Sequence, residues 1–183
     1  MEQFMIIGKE VPRNDAEAKA RGTALYTDDL KLPGMLHGQI LRSPLPHARI
    51  KHIDVSKAAD LPGVKCVLTA KDTPKIKYGN WRLFPETQDE YPLAVDKVRF
   101  IGDEVAAVAA VDLDTAEEAL GLIVVEYEEL PAVFDVDSAS ASGAPVLHDY
   151  CPSNVSVNRM IQYGDLEKGF AESDYIREDT FTV

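Results

Sequence analysis

Cysteine is scarce in this chain of 183 residues: Cys66 and Cys151 stand far apart, and the one Cys or His within four positions of either is His148, three before Cys151. That spacing excludes a disulfide framework and any readable zinc or iron–sulfur motif, and leaves both as ordinary thiols. Long apolar runs are missing too. A membrane helix needs about 18 consecutive apolar residues, and no stretch approaches that. The N-terminus MEQFMIIGKEVPRND offers only a short apolar cluster behind Glu2, too little for a secretory core. A cytoplasmic address without a membrane partner is the expectation. There is no G-x-S-x-G, no Walker loop, no G-x-G-x-x-G, no internal repeat and no low-complexity tract, so nucleophile-elbow and nucleotide-binding readings have no support.

Basic residues are also scarce, but in one half only. Residues 1–100 carry 16 basic and 13 acidic side chains, net +3, whereas residues 101–183 carry 3 basic and 18 acidic, net −15. Phosphate binding needs clustered Lys and Arg, so nucleic acid is excluded as a partner. The acidic half reads either as a solvated face or as a docking surface for a basic partner.

What is present is strongest between residues 91 and 128, YPLAVDKVRFIGDEVAAVAAVDLDTAEEALGLIVVEYE. EVAAVAAV alternates Val with Ala, as suits a strand buried on both faces, after a Gly102-Asp103 turn and a strand ending at Phe100-Ile101. Asp112 or Asp114 caps the helix TAEEALGLI, with Glu117 and Glu118 at the positive end of its dipole. A strand follows from residue 123. Upstream, Asn14 or Asp15 opens a short Ala/Glu/Lys helix that ends at Gly22 and must pack on something, since it is too short to stand alone. Pro33-Gly34 predicts a type II turn. Strands are predicted at 35–42 and 48–55, as candidate neighbours, with Pro44 and Pro46 placing their connection at an edge. Ser56 caps a one- to two-turn helix, and VKCVLTA from residue 64 reads as a central strand. Two strand–helix–strand units of this kind imply an α+β or α/β sandwich with mixed strand directions.

Residues 71–90 break all periodicity and hold Tyr78, Trp81 and Phe84, either for a partner or to pin the loop onto the core. Residues 131–155 read as a linker. Beyond it Gly164-Asp165 starts a helix with Leu166, Phe170 and Ala171 on one side, and YIREDTFTV alternates as a strand whose pattern is expected to continue past Val183. The histidines His37, His47, His52 and His148 never fall at i, i+4 on a helix and read as surface or satisfied core residues. The carboxylate pairs Asp28/Asp29, Asp89/Glu90, Asp103/Glu104 and Glu128/Glu129 have no apolar frame that would raise a pKa, which argues against acid/base use.

GTALYTDDLKLPGMLHGQILRSPLPHARI, LPGVKCVLTAKDTP and YPLAVDKVRFIGDEVAAVAAVDLDTAEEALGLIVVEYEELP, in that order, resemble the N-terminal α/β hammerhead domain of molybdenum-hydroxylase large subunits, the xanthine dehydrogenase and aldehyde oxidase family. The tail with Tyr163-Gly164-Asp165 and GFAESDYIREDTFT is most similar to the molybdenum subunit of 4-hydroxybenzoyl-CoA reductase. The resemblance implies an α+β hammerhead domain with a mixed sheet over residues 11–132, behind a lead at 1–10. A linker at 133–160 and the start of a molybdopterin-binding domain at 161–183 would follow. It implies an oxidoreductase whose molybdopterin cofactor, iron–sulfur clusters and FAD lie elsewhere, so no catalytic, cofactor-binding or metal residue is assigned here and the isolated chain is expected to be inactive. The implied partners are the remaining molybdopterin-binding domains or subunit, an iron–sulfur subunit and an FAD subunit. Arg42, Ser43, Pro44, His47, Gly102 and Asp103 match family-typical positions and are expected to be structural. Arg42 is expected to pair with a nearby acid, and Gly102 to allow the turn before the buried strand.

Overall fold

The computed structural model describes residues 6–79 and 87–181. Its frame is two three-stranded sheets. The first has the order β1–β5–β3 and the second β4–β2–β6. The strands are β1 (His37–Arg42), β2 (Ala48–Asp54), β3 (Val64–Thr69), β4 (Lys97–Val98), β5 (Glu104–Ala110) and β6 (Val124–Glu129). The helices are α1 (Ala16–Ala20), α2 (Ser56–Ala59), α3 (Leu113–Leu122), α4 (Val136–Ser140) and α5 (Leu166–Ala171), with a 3-10 turn at Thr27–Asp29.

β5 is central, as its Val/Ala alternation implies, and its two faces serve two cores. Ala106, Val108 and Ala110 meet Ala58 of α2 and Ala116 and Ala119 of α3. Val105 points the other way, into a second core with Ala48, Ala94 and Val98. Ile53 and Val125 border both. Alanine at five fully buried contact positions, Ala58, Ala106, Ala110, Ala116 and Ala119, is what lets helix and sheet backbones approach closely.

Local chemistry sets the ends of these elements. The Asp112 carboxylate accepts from the Thr115 amide at 2.7 Å and caps α3, one of the two acids expected there. Met35 donates to the Leu32 carbonyl across Pro33-Gly34, with Gly34 at φ 73°, the type II geometry. Gly63, at φ 99°, would place any Cβ 3.1 Å from Thr115 Cγ2 and Val111 Cγ2, so this turn needs glycine for two reasons.

Several expectations are corrected. β1 and β2 are not neighbours: they lie in different sheets, and the Ser43–Pro46 connection carries the chain from one to the other. β3 is an edge strand, because β5 takes the centre. Every pairing among the described residues is antiparallel, so the mixed strand directions do not occur. The physical reason is that α2 and α3 each link strands of different sheets, so neither forms a parallel crossover within one sheet. The strand expected to reach Phe100-Ile101 stops at Val98, since the chain must turn toward Gly102. Ser56 is the first residue of α2 rather than its cap, and its amide is held by the Asp54 carboxylate at 2.9 Å.

The outer segments differ as well. α1 buries no residue; it is held by Lys19–Asp15 and Arg21–Glu17 pairs along its own surface. α5 forms with Asp165 as its cap, but buries nothing. Residues 175–181 form no strand, because an alternating pattern needs a ladder partner and none is offered among the described residues. Trp81 and Phe84 lie outside the described residues.

Candidate functional site

The family-typical residues converge where β1 leaves its sheet. The Ser43 amide donates to the Asp103 carbonyl and the Gly102 amide to the Ser43 carbonyl, both at 2.8 Å, closing the β1–β5 ladder past a bulge between Leu41 and Arg42. Gly102, at φ 101°, supplies the left-handed turn this needs. Arg42 Nη1 donates to Gly102 O at 2.8 Å and to Glu104 Oε1 at 2.6 Å, the expected pairing with an acid. Ser43 Oγ is spent locally, donating to the Leu45 carbonyl and accepting from the Leu45 amide, which shapes the turn into Pro46. His47 is buried, and its Nδ1 sits 2.7 Å from Pro131 O, so this nitrogen carries the proton. Its Nε2 is buried without a partner among the described residues. The remaining histidines separate: His37 opens β1, His52 is exposed on β2 and His148 lies in the 133–160 segment.

Beside this corner is a cavity of about 430 Å³, lined by Tyr78, Asp89, Tyr91, Asp103, Glu104 and His148 among others. Asp103 departs from expectation. Burial pushes its carboxyl above the ordinary carboxylate range, against the pull of the Arg99 amide, which donates to Asp103 Oδ2 at 2.8 Å, and of the Arg99 charge. No apolar frame around Asp103 is visible along the chain, because that frame is assembled from distant segments. Burial likewise raises the Tyr78 hydroxyl, reinforced by Glu90 and Glu104. Tyr78 and Glu90 are joined by a two-way backbone bridge at 2.9 and 3.2 Å, forming the neck of the loop between them.

This arrangement offers charge and hydrogen-bonding groups. Ser43 has no base at hand, His47 is committed to Pro131, and no three His, Cys, Asp or Glu among the described residues gather as metal ligands. The described residues thus bring together no protein ligand set for a metal centre. Among the described residues no helix is long and apolar enough to cross a membrane.

Sequence reasoning missed Lys97, Arg99 and Asn154. Lys97 is 7% exposed, and its ammonium meets Val146 O at 3.3 Å and Asp149 Oδ1 at 3.2 Å. Arg99 Nε donates to Leu147 O at 3.1 Å. The segment read as a linker is thus fastened to β4, and nothing in its composition signals this.

Comparison with known proteins matches residues 21–131 to the aldehyde oxidase and xanthine dehydrogenase a/b hammerhead domain. The chain is 36% identical to the nicotinate dehydrogenase large molybdopterin subunit of Eubacterium barkeri, over 98% of this chain and 41% of that protein. It is 39% identical to a probable xanthine dehydrogenase subunit of Bacillus subtilis, over 98% of this chain and 23% of that protein. Among solved structures, quinoline 2-oxidoreductase from Pseudomonas putida 86 superposes with TM-score 0.78 at 38% identity, over 92% of this chain and 22% of that one. Aldehyde oxidoreductase from Desulfovibrio gigas gives TM-score 0.76 at 33% identity, over 90% and 19%. The chain thus spans between 19% and 41% of the length of these relatives. By the family match, the identities and the shared fold, it belongs to the aldehyde oxidase and xanthine dehydrogenase family, of which it carries the a/b hammerhead domain.

Proposed function

We propose that this chain acts as the hammerhead part of the molybdenum-cofactor subunit of a xanthine dehydrogenase/aldehyde oxidase-type oxidoreductase, as scaffold and docking surface rather than as the seat of the reaction. The observation that carries this reading is the match to large molybdopterin subunits over nearly the whole chain, joined to a site without a nucleophile–base pair or ligand cluster among its described residues. The exposed apolar residues of the C-terminal region support it. Met160, Ile161, Tyr163, Tyr175 and Phe181 lie on the surface, as befits a segment that packs against something outside this chain. In this reading residues 11–132 are the hammerhead domain and 161–183 lead into a molybdopterin-binding domain. Molybdopterin, iron–sulfur clusters and FAD belong to the complete enzyme, and the implied partners are the remaining molybdopterin-binding part, an iron–sulfur subunit and an FAD subunit. The likeness of the tail to 4-hydroxybenzoyl-CoA reductase is the finer part of the proposal, and a cytoplasmic site of action goes with it.

Affinity purification of the chain from its source organism tests this reading. Recovery of molybdenum and iron in fixed ratio to the chain is the expected result. Recovery without either metal favours the alternative, a stand-alone interaction module without redox activity.

A further inference from the structure

Residues 144–154 are attached to the body of the protein by polar contacts from two sides. From β4 and its extension, Lys97 holds Val146 O and Asp149 Oδ1, and Arg99 holds Leu147 O. From the loop neck, Asp89 Oδ2 lies 3.7 Å from His148 Nε2, and Lys77 Nζ lies 4.5 Å from the Tyr150 ring centroid. The segment is also closed on itself. Asn154, at φ 56°, accepts from the Leu147 amide at 3.0 Å and donates to Ala139 O and Pro145 O, both at 2.9 Å. Cys151 and Asn154 amides complete two turns, to His148 O at 2.8 Å and Cys151 O at 3.0 Å.

The two sheets are held differently. Their cores are aliphatic, whereas Cys151 is the segment's single buried side chain and Asp149 and Tyr150 remain exposed. A unit with little buried apolar area and its own ring of hydrogen bonds opens at lower cost than the global transition. Closing also takes the Lys97 ammonium out of water, a desolvation penalty offset only by acceptors that the segment itself supplies.

We propose that residues 144–154 form a strap that opens and closes over β4 as one unit, fastened by Lys97 and Arg99, and that opening uncovers Cys151 and frees Lys77 and Asp89 from Tyr150 and His148 while both sheets stay folded. Cys151 reports the open state, since it is buried beside a cavity shared with Lys77 and Gln88. Cys66 is exposed and is removed as Cys66→Ser so that a single thiol remains. Strap opening is a property of this chain alone and holds whatever enzyme the chain serves.

The test measures the rate at which an aromatic disulfide reagent modifies Cys151 in the Cys66→Ser chain, across urea concentrations below the unfolding transition. The proposal expects a rate nearly independent of urea, because opening the strap exposes little new surface. Asp149→Ala, which removes an acceptor from a charged donor, is expected to raise that rate by about tenfold while leaving it nearly independent of urea. Hydrogen exchange gives a second readout without substitution: the Leu147 and Cys151 amides should exchange together, and well before the Ala107 amide of β5. A rate that climbs with urea as steeply as global unfolding overturns the proposal. So does an Asp149→Ala rate equal to that of the parent, or Leu147 and Cys151 amides that exchange only with β5.

Discussion

Ala116→Leu tests whether α3 is seated as closely as the structure shows. Ala116 is fully buried, and so are Ala119 on its own helix and Ala58, Ala106 and Ala110 opposite. The substitution adds three heavy atoms where neighbouring backbones leave no space. Either side chains leave their rotamers or the helix lifts from the sheet, and overpacking of this kind costs about 1–3 kcal/mol. Lifting α3 also loosens Leu120 and Ile123, so the upper end of that range, about 3 kcal/mol, is expected. For a chain of this size that lowers Tm by roughly 6–12 °C. Glu118→Leu places the same side chain on the exposed face of the same helix, where the change should stay within about 0.5 kcal/mol. Urea unfolding followed by far-ultraviolet circular dichroism measures both. If Ala116→Leu shifts the midpoint no more than Glu118→Leu does, the close alanine contact between α3 and the sheet is refuted.

Three further outcomes are expected. Gly63→Ala combines a left-handed backbone with a Cβ 3.1 Å from two methyl groups, and should cost about 1–3 kcal/mol in the same unfolding assay. The strap should open in acid: burial first, then Arg99, with Lys77 and Lys97, hold His148 below its ordinary value of 6.5, while Asp89 opposes them. The closed form therefore binds fewer protons than the open one, so closure is fullest above pH 6.5 and weakens as pH falls toward the lowered value. Exchange of the Leu147 and Cys151 amides, corrected for intrinsic rate, should rise from pH 7.5 to 5, and His148→Gln should flatten that slope. Asp103→Asn keeps an acceptor for the Arg99 amide and removes a charge that burial disfavours, since the Asp103 pKa is raised in the fold. It should stabilise the protein at pH 7, with the gain vanishing below about pH 4, where both states of the wild-type carboxyl are protonated; thermal melts at the two pH values decide it.

The elements were legible where a local rule decides them. The Asp112 cap, the Pro33-Gly34 turn and the buried β5 follow from residues within a few positions of one another. What could not be read was pairing. Val64–Thr69 has the composition of a central strand, yet its place at the edge is set by β5, some forty residues downstream. The alternation of YIREDTFTV is real, but alternation describes a face and not a partner. The family-typical set was legible as a set, and so was the pairing of Arg42 with a nearby acid, but not that the acid is Glu104. The raised Asp103 carboxyl and the buried Lys97 were not, because each depends on which distant segments share its surroundings.

The order in which the sheets are filled has a consequence for how the chain acquires its structure. Successive strands alternate between the two sheets, β1, β3 and β5 in one and β2, β4 and β6 in the other, so no strand pairs with the next one along the chain. Among the described strands no two-strand hairpin is available as an early nucleus, and every ladder between them must close a long loop before it gains a bond. As the chain leaves the ribosome, His37–Arg42 and Val64–Thr69 have no ladder in their sheet until Glu104–Ala110 has emerged. A cut anywhere between Arg42 and Glu104 would separate β1 from the strand it pairs with, so division there is expected to leave neither piece able to fold alone.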